Sequence, residues 1–213
     1  MERHISVSNH SYPVEYPDKC PICHHYGDIG VVSTFELPAK QGVQVVFQCP
    51  FPECTRYFIG HYGPRAEKQL MGLTPQKPEF AHLPASVQEL SPQFVAIYKE
   101  AEEARHVGLT QIAGPGYRKA FEFLIKDYAK SLSPDEAEHI EKAFSGDVVK
   151  GYISDPRIEA VAKRALWLGN DETHYLRKWT SHDLDDLIAL IRLTMNWIEI
   201  GQLSESYSRE MPD

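Results

Sequence analysis

The residues best suited to chemistry in this sequence are four cysteines in its first quarter. Cys20 and Cys23 enclose Pro-Ile, Cys49 and Cys54 enclose Pro-Phe-Pro-Glu, and the 213 residues contain no other cysteine. Two short thiolate pairs separated by a strand-length insert are a ligand pattern of tetrahedral Zn²⁺. Because four protein ligands leave no coordination position open, we expect a structural ion and not a catalytic one. A set of buried or redox-active thiols is the alternative.

The residues around the two pairs predict a small β module. Residues 30–37 and 43–48 are rich in β-branched and aromatic side chains, residues 38–42 between them predict a turn, and a third strand is expected over 56–62. We interpret residues 1–18 as polar and irregular. The order of knuckle, hairpin, knuckle and closing strand is that of a zinc ribbon, which we assign to residues 1–62. Three nearby histidines could replace a cysteine as ligand but are interpreted as turn and strand residues: His24, His25 and His61.

The remainder of the chain predicts helices. Residues 63–90 contain Pro64, Pro75, Pro78 and Pro84 with little periodicity, and are assigned to a linker. Residues 91–213 carry apolar side chains at helical spacing and predict an α-helical bundle. The fold class expected is therefore α+β, with a zinc-ribbon module followed by a helical domain.

Gly114-Pro115-Gly116 predicts a break in the chain, with a new helix from Tyr117. Arg118 and Lys119 would then lie beside a helix N-terminus, where two cations could bind phosphate. A solvated helix face is the alternative for these two residues.

A second group of reactive side chains lies between Trp167 and Trp179. It contains Asn170, two carboxylates, His174 and two basic residues around a predicted helix junction. Such a cluster could perform acid–base chemistry, with His174 transferring the proton and Asn170 orienting it. The alternative is structural, with Gly169 ending one helix, Asn170 or Asp171 capping the next, and His174 packing at the junction.

Three phrases of the helical half resemble the bacterial family called domain of unknown function 4145, which is placed in the HEPN superfamily of α-helical bundles. They are Leu-Ser-Pro-Gln-Phe at 90–94, Gly-Pro-Gly-Tyr-Arg-Lys-Ala-Phe-Glu-Phe-Leu at 114–124 and Leu-Gly-Asn-Asp-Glu-Thr-His at 168–174. An N-terminal cysteine ribbon is also similar to members of that family. The resemblance covers most of the chain and implies a HEPN-like fold. It also implies a homodimer formed through the helical domain.

The resemblance implies a site as well. Many HEPN proteins are metal-independent ribonucleases of toxin–antitoxin and phage-defence systems, with an Arg…His motif from each protomer. His174 matches the motif histidine and Asn170 the polar residue before it, but Leu166 and Trp167 stand where related sequences have the arginine. Three other arginines could supply the charge: Arg164, Arg118 and Arg177.

Charge and hydropathy narrow the function further. The formal net charge is −8, and residues 81–213 contain 15 basic and 22 acidic residues, the opposite of a protein that coats nucleic acid. No export signal or bilayer-length apolar stretch is visible, so we expect a cytoplasmic chain without membrane contact.

Two functions stay open. The first is a non-catalytic interaction or regulatory protein, with a protein or RNA partner, in phage defence or stress response. The second is a ribonuclease that uses His174.

Overall fold

The computed structural model describes residues 2–7, 10–64, 69–80 and 83–211. The chain divides into two compact units, Met1–Glu79 and Phe80–Asp213. The first contains the strands and the second the helices, which confirms the expected α+β class.

The described part of the first unit is built from two antiparallel sheets. A hairpin is formed by β1 and β2, and a four-stranded sheet follows in the order β3-β4-β5-β6. The strands are β1 (Glu2–Val7), β2 (His10–Glu15), β3 (Gly30–Glu36), β4 (Val43–Gln48), β5 (Tyr57–Tyr62) and β6 (Leu70–Thr74). The three strands predicted from residue composition are thus present as β3, β4 and β5.

Strand β4 supplies the centre of this unit's core. Val43, Val45 and Phe47 alternate along it, and all three are buried on one face, as period-two alternation requires. The Phe47 ring lies 5.4 Å from the ring of Tyr16 and 5.6 Å from that of Phe58, measured between centroids. The sheet therefore packs its apolar face into a small cluster that also contains the cysteines.

Two predictions for this unit were wrong. Residues 1–18 are not irregular, because β1 and β2 pair there and bury Ile5 and Val14. The described residues of 63–90 are not a structureless linker, because β6 pairs with β5 there and a helix of the second unit begins at Ala85. The prolines at 75 and 84 only delimit these elements. The stretch after β6 is attached to the first cysteine pair, since the Lys77 N–H donates to the Pro21 carbonyl at 2.9 Å.

The described part of the second unit contains seven α-helices, and α3 contacts each of the other six. They are α1 (Ala85–Leu90), α2 (Pro92–His106), α3 (Thr110–Leu132), α4 (Ala137–Lys142), α5 (Ser145–Tyr152), α6 (Pro156–Asp171) and α7 (Leu184–Glu210). The helical domain was predicted from apolar side chains at helical spacing, and on α3 these side chains are buried, including Tyr117, Phe121 and Leu124. None of the described helices combines the length and apolar character that a membrane span needs.

The predicted break at Gly114-Pro115-Gly116 was wrong, because α3 runs through it. Pro115 lies in the second turn of α3, where the helix loses one backbone hydrogen bond because proline has no N–H. The glycines allow close packing instead: a Cβ on Gly116 would lie 3.0 Å from the Ala101 Cβ, and one on Gly114 would meet the Glu172 side chain. Arg118 is consequently an interior residue of α3 and is not at that helix's N-terminus.

Candidate functional site

The four cysteine sulfurs converge in the first unit. All four Sγ atoms lie within 4.8 Å of one another, Cys23 and Cys49 are 3.6 Å apart, and none forms a disulfide. A Zn–S bond of about 2.3 Å places tetrahedral sulfurs about 3.8 Å apart. The donor set and its spacing therefore fit one tetrahedral metal ion with four thiolate ligands.

Each cysteine pair is closed by the same backbone hydrogen bond. The N–H of the first cysteine donates to the carbonyl two residues after the second cysteine: Cys20 to His25 and Cys49 to Arg56, both at 3.0 Å. The second pair has two more residues between its cysteines, yet the closing bond is equivalent. The longer insert is therefore accommodated without altering how the pair presents its sulfurs.

The residue after each second cysteine adopts a left-handed conformation. His24 has φ 61° and Thr55 has φ 49°, a region that disfavours side chains other than glycine. In both turns its N–H donates at 3.0 Å to the carbonyl four residues earlier, that of Cys20 or Phe51. This geometry could not be predicted from the residue types, because glycine, the residue that would have indicated it, is absent from both positions.

The four thiols lie in surroundings that disfavour their charged thiolate form. Cys20, Cys49 and Cys54 are buried and Cys23 is half-buried. Burial above all, with a smaller contribution from hydrogen bonds to the neighbouring thiols, raises the pKa of the Cys49 thiol to about 12. Since a metal ion stabilises thiolates by direct coordination, a bound metal would offset the free-energy cost of deprotonating these buried thiols.

The nearby histidines have other partners. The His25 ring stacks on Phe51 with centroids 3.8 Å apart, and His24 Nε2 lies 3.2 Å from the Pro78 carbonyl oxygen. His61 Nε2 lies 3.0 Å from Thr74 Oγ1 on the neighbouring strand. Within the described residues, the candidate metal ligands in this unit are the four cysteines.

The second candidate site lies where α6 ends and the chain runs to α7. Here the structure brings together two predicted residues, because Arg118 Nε donates to Asn170 Oδ1 at 3.1 Å. Arg118 also pairs with Glu122 at 3.2 Å. Gly169 makes this possible, since a Cβ at that position would lie 2.5 Å from Arg118 Cδ.

His174 is exposed, and its backbone N–H donates to the Asn170 carbonyl at 3.0 Å. Among the described residues, no hydrogen bond or ion pair joins its imidazole to an arginine. Arg164 donates to the Ala160 carbonyl at 2.6 Å, and Arg177 pairs with Glu172 at 2.7 Å. The structure therefore brings Arg118 to Asn170, and leaves His174 without a bonded guanidinium.

Asp171 is the residue of this junction that sequence reasoning underestimated. Its carboxylate is buried, with 6% of the residue exposed, and Oδ2 accepts the N–H groups of Lys178 at 2.8 Å and Trp179 at 2.6 Å. The loop after α6 is thereby folded back on the helix end. The Asp-Glu-Thr-His run is compatible with a polar loop. It does not indicate that Asp171 bonds to residues seven and eight positions later in the chain.

The folded loop exposes an aromatic surface. Trp167 and Trp179 stack with centroids 5.6 Å apart and planes 10° from parallel, although 45% and 41% of these residues are exposed. They line an open groove of about 530 Å³ together with His174, Tyr175 and Leu176. We name this feature the tryptophan groove.

Comparison of the chain with protein-family models, with curated proteins and with solved structures finds no match. The functional assignment therefore depends on the sites themselves.

We predict that Gly169→Ala lowers the free energy of unfolding by about 1–3 kcal/mol, because overpacking against Arg118 outweighs the better helix propensity of alanine. Gly201→Ala is the matched control, since α7 has open space at that position and removal of a helical glycine stabilises by about 0.5–1 kcal/mol. Denaturant unfolding measures both, and the NMR signal of the Arg118 Nε–H should shift in Gly169→Ala only. Equal stability of the two variants would contradict the close contact.

Proposed function

We propose that this chain is a zinc-binding interaction protein, built from a zinc ribbon and a HEPN-like helical domain, and that it is not an enzyme. The observation that carries the proposal is the state of the α6–α7 junction. Its polar residues Asn170 and Asp171 are bonded to Arg118 and to the loop backbone, while its aromatic side chains are exposed. A junction of this kind displays a recognition surface and supplies no arginine to His174.

Zinc is the ion that the cysteine cluster favours. Four sulfur ligands select soft or borderline metals over Ca²⁺ or Mg²⁺, and tetrahedral geometry is the one that Zn²⁺ adopts in closed structural sites. Such an ion would join the turn before β3 to the turn before β5, in a unit of about 80 residues whose core is small. We assign the ion a structural role.

A protein is the partner that the tryptophan groove favours. Tyr175 is fully exposed and Leu176 is 77% exposed, and large aromatic residues dominate the energetics of protein interfaces. The 15 basic and 22 acidic residues of the helical half disfavour binding to a polynucleotide backbone. The homodimer, the cytoplasmic location and a role in phage defence or stress response remain part of the proposal, supported by the family resemblance and the sequence.

We predict one zinc ion per chain in protein purified without chelator, and loss of that ion in Cys49→Ser, with unfolding of the four-stranded sheet. His61→Ala is the control, because its imidazole contacts Thr74 and belongs to no group of candidate ligands; it should retain the metal. Elemental analysis gives the metal content, and amide hydrogen exchange of residues 43–62 reports the sheet. Unchanged zinc in Cys49→Ser would refute the assignment.

We predict that a Tyr175→Ala/Leu176→Ala double variant loses the protein partner captured by the wild type from a native extract. The side chains are exposed, so folding should be unaffected. Tyr207→Ala/Met211→Ala is the matched control, because it removes a tyrosine of α7 and an apolar side chain just after that helix, which are 62% and 75% exposed. Quantitative cross-linking mass spectrometry measures both. Capture of the same partner by the groove variant at wild-type level would contradict an interface in the tryptophan groove.

A second candidate function is ribonuclease activity. One observation favours it: His174 is exposed in the groove, one helical turn beyond Asn170, which contacts Arg118. In such a site Arg118 would stabilise charge on a phosphate and His174 would transfer the proton of a hydroxyl group. The bonds of Arg118 to Asn170 and Glu122 argue against this role.

We predict that the wild type and His174→Ala cleave mixed RNA at the same background rate. His106→Ala serves as a control for the loss of an exposed imidazole elsewhere in the helical unit. Gel analysis of incubations with purified protein provides the measurement. Cleavage by the wild type and by His106→Ala, but not by His174→Ala, would establish the ribonuclease and overturn the non-catalytic proposal.

A further inference from the structure

We propose that the outer face of α7 is a docking site for a basic amphipathic helix of a partner protein. The opposite face of α7 packs on α6, α3 and α1. The outer face carries four large apolar side chains, and between 45% and 62% of each of these residues is exposed: Leu193, Ile200, Leu203 and Tyr207. We name this feature the α7 stripe.

The α7 stripe is a second apolar face on a helix that already has one. Leu187, Ile191 and Ile198 lie on the inner face and are completely buried in the core of the helical unit. A helix at the surface of a globular protein needs apolar residues on its inner face, with polar residues opposite, whereas a helix that is apolar on both faces is normally covered on both. The core therefore accounts for the inner face and leaves the outer one to a partner.

The spacing of the stripe fits another helix. Leu193, Ile200 and Tyr207 are seven residues apart, and Leu203 lies three residues after Ile200. This is the a and d spacing with which two helices pack lengthwise against each other. The 27 residues of α7 form a continuous helix, so the stripe presents about two heptads in one line. An extended peptide alternates its side chains every second residue and does not match this repeat.

The charges of α7 favour a basic helix. The helix contains five acidic and two basic residues, a net charge of −3. Glu199 lies four residues before Leu203 and Glu210 three residues after Tyr207, so both carboxylates are neighbours of the stripe on the helix surface. Neither forms an ion pair with any residue that the structure describes, and they outnumber Arg192, the basic residue of α7 beside the stripe. Charges that flank an apolar seam determine which helix can pair with it.

The same charges disfavour a second copy of this chain in that position. Each copy carries a net charge of −8, of which α7 contributes −3. An antiparallel pair that opposes Leu193 of each copy to Leu203 of the other would also bring the two Glu199 carboxylates together near the two-fold axis. Like charges placed side by side weaken association. A helix with lysine or arginine beside its apolar residues meets no such repulsion.

The inference goes beyond the proposed function, since no residue of the α7 stripe lines the tryptophan groove. The two surfaces can therefore be tested separately. Tyr175→Ala/Leu176→Ala should keep the partner of α7. Tyr207→Ala/Met211→Ala removes one residue of the stripe, so it should keep the groove partner and lose only a partner bound to α7.

The test is calorimetric titration of the full-length protein with two synthetic peptides of about three heptads. Both have leucine at positions a and d, and they differ in having lysine or glutamate at positions e and g. Like charges keep each peptide from pairing with itself. We expect the lysine peptide to bind at least about tenfold more tightly at low salt, with a smaller difference at high salt. Equal affinity of the two peptides, or no binding of the lysine peptide, would overturn the proposal.

One pair of variants tests the apolar contact. Ile200→Gln/Leu203→Gln should bind the lysine peptide about tenfold or more weakly, because central apolar residues carry most of the binding energy of an interface. The control is Leu109→Gln/Ile112→Gln, which removes two aliphatic side chains of the same spacing that are 54% and 64% exposed near the start of α3. Both variants should unfold at the wild-type temperature. Wild-type affinity of the Ile200→Gln/Leu203→Gln variant would show that the peptide binds elsewhere.

A second pair of variants tests the charge. Glu199→Gln/Glu210→Gln should lose the preference for the lysine peptide over the glutamate peptide. Asp135→Asn/Glu136→Gln changes the net charge equally, in the exposed turn that precedes α4, and should retain the preference. The same loss of preference in both variants would reduce the effect to the overall charge of the protein and overturn a specific basic partner.

Sedimentation equilibrium distinguishes the partner helix from a second copy. We expect the wild type and Ile200→Gln/Leu203→Gln to have the same oligomeric state, because α7 does not pair with itself. A wild-type dimer that this variant converts to a monomer would assign the α7 stripe to a second copy and overturn the basic helix. Neither result bears on the tryptophan groove, whose role is decided by the Tyr175→Ala/Leu176→Ala variant.

Discussion

Close packing of Arg118 on α3 against Gly169 on α6 determines the surface of the helical unit. A Cβ on Gly169 would overlap the aliphatic part of the arginine, so only glycine allows the two helices to approach this closely. The guanidinium then reaches Asn170 at 3.1 Å, and the end of α6 is fixed relative to the central helix. Trp167, one turn earlier than Asp171, is thereby placed on the tryptophan groove, which it lines. One helix contact thus positions the candidate interaction surface.

The first unit depends on a different constraint. Its four-stranded sheet buries a limited set of apolar side chains, and the cysteines belong to that same buried cluster. The two cysteine turns have residues in the left-handed conformation at His24 and Thr55. For a residue other than glycine this conformation costs about 1–2 kcal/mol. The two turns share this conformation and equivalent closing bonds, although their inserts differ in length. A metal ion bound by all four thiolates would offset the strain and join both turns.

Features that depend on neighbouring residues could be predicted from the sequence, and features that depend on contacts between distant residues could not. Cysteine spacing, the β-branched and aromatic residues of β4 and the apolar residues at helical spacing in α3 are local, and each feature was predicted from neighbouring residues. The errors arose where contacts between distant residues decide the outcome. Gly114 and Gly116 indicated a break, but they are glycines because Glu172 and Ala101 pack against them. The prolines of residues 63–90 indicated a linker, but β6 is held by pairing with β5. Asp171 bonds the backbone of residues seven and eight positions later, which no periodicity reveals.

The residues at 166 and 167 separate the two functions considered for the helical unit. In the family that this chain resembles, an arginine precedes the Gly-Asn pair. Here Leu166 is buried, at 5% exposure, and Trp167 stacks on Trp179. An indole in that place supplies a flat apolar face and no charge, so it cannot stabilise a transition state on a phosphate. It can still bind a partner by stacking and burial. Arg118 keeps its positive charge, but its guanidinium is bonded to Asn170 and Glu122. Leu166 and Trp167 are therefore compatible with the proposed recognition role, and neither supplies the charge that the resemblance implies at this position.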